Sequence, residues 1–292
     1  MLTSLFAICE KKKGHFIMKR ILALVLTIAL LASSMLVLGS CGKEAAKGDL
    51  AKIEEKGYFT CGVTLFENMN DKEADGTWTG FESEFAMEVA KILGVEVKFQ
   101  EIDWEQKYNE LNSGAIDCIW NGFTANSSDD GIKRSDLVDF SYGYMLNQQC
   151  IVTKSANVDS YKTVADLKGK TAGAEAGSAG ASFAAGIEAK EIVTPSSQLK
   201  AFDELRSGAV DFIVVDIVLA KNLCGKDSNA DLKIVEAIEL ESEIYAVGCR
   251  KGSDLTAKIN AAIETLDKNG KLLELATKYG FENVLSVSKT IE

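Results

Sequence analysis

LNSGAIDCIWNG (residues 111–122) and LRSGAVDFIVVD (205–216) are one phrase written twice. Each copy starts at a helix end, turns at Ser-Gly and runs into an apolar segment. The echo predicts two similar α/β lobes. Before the first copy, Tyr58 to Thr64 reads as a buried strand. Phe81 to Leu93 reads as a helix, with Phe85, Val89, Ile92 and Leu93 on one face and Gly94 ending it. Val95 to Phe99 is the next strand. Trp104 to Leu111 is a helix stopped by Asn112-Ser113-Gly114, and Ile116 to Trp120 is a strand. This βαβαβ order implies a parallel sheet with helices on both faces. The second copy closes a similar run. It has a strand at 171–175, a helix at 181–189 opened by Gly177-Ser178-Ala179-Gly180, a short strand at Ile192-Val193, a helix at 197–207 and a strand at 212–215.

Two extended stretches flank the second unit, Gln148 to Thr153 and Ile244 to Arg250. Two helices follow, 254–269 and 271–279. If these return to the first unit, the extended stretches are crossovers between lobes. A ligand then belongs in the cleft between the lobes, where α/β sheets and domain junctions place one.

Composition narrows the function. The only histidine, His15, precedes the folded part, so a His triad, a His base and the commoner zinc sites are excluded from it. Five of the six charged residues among the first 40 are basic. Without them the remaining 252 residues carry a formal charge near −15, against −11 for the whole chain. So acidic a chain does not seek nucleic acid or anionic lipid by electrostatics. Cys61, Cys118, Cys150 and Cys249 lie in apolar runs and read as buried thiols, and a disulfide between strand neighbours stays open. Neither a cofactor nor a metal is expected.

The N-terminus carries Lys19-Arg20, the apolar run Ile21 to Leu38, then Gly39-Ser40-Cys41. Basic, apolar and small segments in that order make a secretory signal. Leu38-Gly39-Ser40-Cys41 resembles the lipobox of bacterial lipoproteins. The resemblance implies a signal peptide over 1–40 with its natural start at Met18, a diacylglyceryl group on the Cys41 thiol, and a tether over 41–49. The alternative is an uncleaved membrane helix, because 18 apolar residues nearly span a bilayer.

GFESEFAMEVAKILGV (80–95), SGAIDCIWNGFT (113–124), RSDLVDFS (134–141), DLKGKTAGAEAGSAG (166–180), SGAVDFIVVD (207–216) and the tail 246–280 together resemble the bacterial extracellular solute-binding proteins of family 3. These are polar-amino-acid receptors of ABC importers. The resemblance implies an α/β, two-lobed periplasmic-binding-protein-like fold of type II with two hinge strands. Lobe 1 would comprise 50–147 plus 249–292, and lobe 2 would comprise 148–248. It also implies a monomeric binding protein rather than an enzyme, anchored outside the cell and serving ABC permease subunits.

A free amino acid brings one carboxylate and one ammonium, and a dry site must pair both. By the resemblance Arg134 takes the carboxylate, its planar fork suiting a bidentate grip. Thr124 assists, with Asn121 and Gly122 beside it. Ser178 and Ala179 present a helix N-terminus to the same anion. Asp216 takes the ammonium, Trp104 covers the side chain, and Phe66 supplies a ring from the first loop. Plainer readings exist for each: Arg134 as a solvated charge in KRSD, Asp216 as a strand-end cap, Trp104 as core. The stretch Ala125 to Lys133 is longer than the family's usual spacing, which places Arg134 in question. Glu175 and Trp104 suit a cationic side chain, unless Glu175 points away. The rival reading is a dehydratase on the same fold, with Glu175 or Glu67 moving a proton.

Overall fold

The computed structural model describes residues 48–291. The signal peptide, Met18 and Cys41 lie outside the described residues, as does most of the tether. Helix α1 (Asp49–Lys56) begins inside the expected tether. Asp49 is drawn into the fold by Arg250, whose Nε donates to it at 2.9 Å, and the Leu50 N–H donates to Asp254 at 2.8 Å. Among the described residues no helix is long and apolar enough to cross a membrane.

The first unit contains β1 (Tyr58–Val63), a small hairpin of β2 (Asp71–Lys72) and β3 (Trp78–Thr79), α2 (Phe81–Leu93), β4 (Glu96–Glu101), α3 (Lys107–Ser113) and β5 (Cys118–Ile119). β1 lies between β4 and β5 and is parallel to both. The long stretch before Arg134 folds as a second hairpin, β6 (Ser128–Asp129) and β7 (Ile132–Lys133), running into the single turn α4 (Arg134–Leu137). Neither hairpin is legible from periodicity, because each strand is two residues long.

β8 (Asp139–Lys154) then runs for 16 residues, far longer than the crossover expected at 148–153. The second unit repeats the first: β9 (Thr171–Gly173), α5 (Ala179–Gly186), β10 (Glu191–Val193), α6 (Gln198–Ser207) and β11 (Phe212–Asp216). β9 lies between β10 and β11, again parallel to both. Helix α7 (Ile217–Leu223) and β12 (Leu232–Ile234) lead to β13 (Ser242–Cys249), α8 (Leu255–Lys268), α9 (Lys271–Tyr279) and β14 (Leu285–Ser288).

The main path of the sheet reads β4-β1-β5-β13-β8-β11-β9-β10, with β12 and β14 also pairing β8. Two parallel groups of three thus flank the antiparallel pair β13–β8. The two echoed phrases end in β5 and β11, which hold the same place on either side of that pair. β8 reaches both groups. Its first part pairs with β13, and residues 149–153 pair with β11. Helices α8 and α9 pack on α2, so the C-terminal chain returns to the first unit. The core there includes Phe85, edge-on to Trp120 at 4.9 Å and to Tyr144 at 5.5 Å. Burying each such ring contributes roughly 1.5–3 kcal/mol. Cys61, Cys118 and Cys249 face one another in register across β1, β5 and β13, with the Cys61 and Cys118 sulfurs 3.5 Å apart as free thiols.

Candidate ligand-binding site

The register of β8 builds one side of the site. Gln149 opposes Asp216 on β11, and Asn147 opposes Glu243 on β13. Strand period places Asn147 and Gln149 on one face. Both amides therefore meet both carboxylates. Asn147 Nδ2 donates to Asp216 at 2.6 Å and Glu243 at 2.7 Å. Gln149 Nε2 donates to the same two at 2.5 and 2.9 Å. Gln198, at the start of α6, also donates to Asp216 and accepts from its backbone N–H at 2.9 Å. Burial raises the Asp216 carboxyl above its ordinary range, and these amides offset only part of that shift. Glu243, half-buried beside Asp216, is pushed up to about 7 by desolvation and then by that neighbour.

The opposite side is cationic. Arg134 is 1% exposed. The insertion that placed it in question positions it: Asp129, from the β6–β7 hairpin, accepts from Nε at 3.0 Å and Nη2 at 2.8 Å. Nη1 donates to the Thr124 carbonyl at 3.1 Å. Lys107, fully buried, lies 3.4 Å from the other Asp129 oxygen, which also accepts from the Tyr108 hydroxyl at 2.5 Å. Two cations thus share one carboxylate. Burial, then repulsion from Arg134, lowers Lys107 to about 8.

The two units meet at Gly177. Its carbonyl accepts from Lys107 Nζ at 2.9 Å and Arg134 Nη2 at 3.5 Å. Its φ is +68°, and a Cβ would lie 3.0 Å from the Glu105 Cα, so only glycine permits this approach. Just beyond it, Ser178 caps α5 by accepting the Ala181 N–H at 3.0 Å. The first amides of that helix lack partners within it.

Between these walls lies a narrow cavity of about 20 Å³, so a ligand enters only if the walls part. Trp104, Asn121, Gly122, Thr124, Arg134, Ser178, Ala179 and Asp216 all line it, and so do Gln149, Glu175 and Gln198. Phe66 does not. Its ring is buried in the core beneath Gly122, where a Cβ would come within 2.9 Å of it. Asn121 lines the cavity with a saturated amide: Oδ1 accepts from the Thr64 N–H and hydroxyl, while Nδ2 donates to Thr64 O and Asn70. It ties down the first loop. Gly122 donates its N–H to buried Glu82, which also accepts from Tyr144 and titrates at about 7 because of burial. Glu67 is apart from the cavity. Asn147 and Gln149 had one sequence signal, the run of three polar residues Asn147-Gln148-Gln149 inside an extended stretch. Asp129 had none, because only the hairpin brings it to Arg134.

Residues 61–283 match the family model for bacterial extracellular solute-binding proteins, family 3. The chain belongs to that family. Among relatives of this family-3 protein, the L-cystine-binding protein TcyA of Bacillus subtilis is 31% identical over 280 residues, covering 91% of this chain and 98% of TcyA. The L-cystine-binding protein TcyJ of Escherichia coli is 30% identical over 238 residues, covering 80% of this chain and 87% of TcyJ. A substrate-binding protein of an ABC uptake transporter from Streptococcus pneumoniae, solved with bound histidine, superposes with a TM-score of 0.73 at 31% identity, covering 83% of this chain and all of that one. These relatives are binding proteins.

Carboxyls withdrawn from water make the stability of this family-3 protein depend on pH. Glu82 and Glu243 titrate near 7 when folded, against an ordinary 4.5. The folded chain therefore binds more protons than the unfolded chain between those values, so stability falls as pH rises through that window. Asp49, Asp129 and Glu84, whose cationic partners outweigh burial, act in the opposite sense, below about 4.5. The ligand-free protein should melt several degrees higher at pH 5 than at pH 7.5, and Glu243→Gln should flatten the slope. A melting temperature that climbs with pH over this range would contradict the assignment.

Proposed function

We propose that this chain is the substrate-binding component of an amino-acid ABC importer. It captures a free polar amino acid in the cavity and delivers it to permease subunits. The observation that supports this most is the placement of Arg134 and Asp216. They come from opposite units and face one narrow polar cavity. An α-carboxylate fits beside Arg134 and the α5 N-terminus, and an α-ammonium fits at Asp216. Asp129, Gly177 O and Thr124 O take four of the five N–H groups of Arg134, which leaves one Nη1 hydrogen and the helix amides to the ligand.

The lobes of this reading are 50–147 with 249–292, and 148–248. They hinge where β8 and β13 pass between them, and a ligand touching both lobes favours the closed state by its differential contacts. One experiment tests binding and motion together. Calorimetry against the twenty amino acids, ornithine and cystine should give micromolar or tighter affinity for at least one of them. Scattering of the same sample should show a smaller radius of gyration with that ligand. Tight binding of a sugar with no amino-acid binding would remove the reading.

The anchor in this reading is a diacylglyceryl group on Cys41, where two acyl chains hold a protein stably. Cys41→Ala should release the chain into the medium or leave it unprocessed. Processing and membrane retention unchanged in that variant would exclude the anchor.

A further inference from the structure

Glu175 is the one cavity wall that the amino-acid clamp leaves unused. It is 3% exposed, lines the cavity, and its Oε1 has no hydrogen-bond partner. Leaving a buried carboxylate oxygen unpaired is costly. The two buried cations on the other wall are already engaged. Lys107 is held by Gly177 O and Asp129, Arg134 by Asp129 and Thr124 O, and neither forms an ion pair with Glu175.

We propose that Glu175 is a second cation subsite, taking an ammonium or guanidinium remote from the ligand's α-carbon while Asp216 holds the α-ammonium. This rests on the amino-acid reading above and names the ligand's charge within it. With its carboxyls ionised, the cavity holds a negative charge that such a ligand balances. Arg134, Lys107 and Asp129 together leave one positive charge, which a single α-carboxylate balances. Asp216 and Glu175 leave two negative charges, and the α-ammonium balances only one. Glu243 adds to the imbalance through the amides that it shares with Asp216. Trp104 supplies an aromatic surface in the same cavity, which favours a cation again. The adjoining surface depression is acidic too, lined by Glu239, Glu241 and Glu243 beside Thr124 and Gln149, and an acidic mouth concentrates cations.

Burial, then Asp216, raises the Glu175 carboxyl well above its ordinary value, with Asp103 acting in the same direction and Lys107 against it. A cation held beside Glu175 opposes that shift and favours the ionised carboxylate.

The second cation occurs in two kinds of amino acid, the diamino or guanidino mono-acid and the diamino di-acid. Titration calorimetry with L-arginine, L-ornithine, L-cystine and L-glutamine distinguishes them, using the intact mature chain and its Glu175→Gln variant. Arginine, ornithine or cystine should bind at least about 30-fold more tightly than glutamine. Glu175→Gln should weaken the favoured cationic ligand by at least about 30-fold and leave glutamine within about three-fold. Preference for arginine or ornithine assigns the second charge to a side chain, and preference for cystine assigns it to a second α-ammonium. Glutamine binding as tightly as all three, or Glu175→Gln weakening every ligand equally, would overturn the subsite while leaving an amino-acid receptor. Binding of none of the four by a folded chain would overturn the subsite, and the panel of twenty then decides whether the receptor reading falls with it.

Discussion

Arg134→Ala and Asp216→Ala should each weaken amino-acid binding by about 3 kcal/mol or more, on the order of 150-fold. Each variant leaves one ligand charge without its partner among buried groups. With Asp216 removed, the α-ammonium faces amide N–H groups of Asn147, Gln149 and Gln198 that already point at that spot as donors. A cation among donors is repelled, so the loss exceeds that of one hydrogen bond. With Arg134 removed, the α-carboxylate keeps only the α5 amides and the more distant Lys107. Arg134→Lys should recover little, because a point charge cannot hold Asp129, Thr124 O and the ligand at once. Calorimetry on variants shown to be folded by circular dichroism makes the measurement. Near-native affinity in both alanine variants would show that the clamp lies elsewhere.

The second large effect is on stability. Asp129→Asn should destabilise the protein by about 3 kcal/mol, because it leaves two buried cations, Arg134 and Lys107, without their shared carboxylate. Burial alone would raise the Asp129 carboxyl, but Arg134 and Lys107 outweigh it and hold it below its ordinary value. That balance measures how strongly the cluster depends on the charge. For a domain of this size the melting temperature should fall by roughly 6–12 °C. Adding Lys107→Met should restore part of the loss by removing one uncompensated cation while keeping an apolar stem of similar length. Urea unfolding of the single and double variants tests this. Equal stability of wild type and Asp129→Asn would mean that water or the ligand, rather than Asp129, screens the two cations.

Much of the architecture was written in the chain. Period and Ser-Gly punctuation placed β1, α2, β4, β5 and their counterparts in the second unit. The echo between 111–122 and 205–216 anticipated that β5 and β11 occupy equivalent places beside the central pair. These are local signals, since a helix face or a buried strand shows itself within a few residues. The family resemblance drew attention to Arg134, Asp216 and Trp104, which local chemistry alone read as a solvated charge, a strand cap and a core ring.

Other features became visible only in three dimensions. Asn121 is saturated by Thr64 and Asn70, and Phe66 turns into the core. Both outcomes depend on how the loop after β1 folds back, which no periodicity encodes. Asp129 reaches Arg134 because two strands of two residues each bend the insertion into a hairpin. Gln149 reaches Asp216, 67 residues away, because their two strands align in one register. The sequence by itself determined the units, their parallel order and the excess of acid. The tertiary structure decided which acids are paired and left a buried oxygen of Glu175 without a partner. The reason is physical: hydrophobic period is a property of neighbours along the chain, whereas the pairing of a charge depends on which distant group arrives within about 3 Å of it.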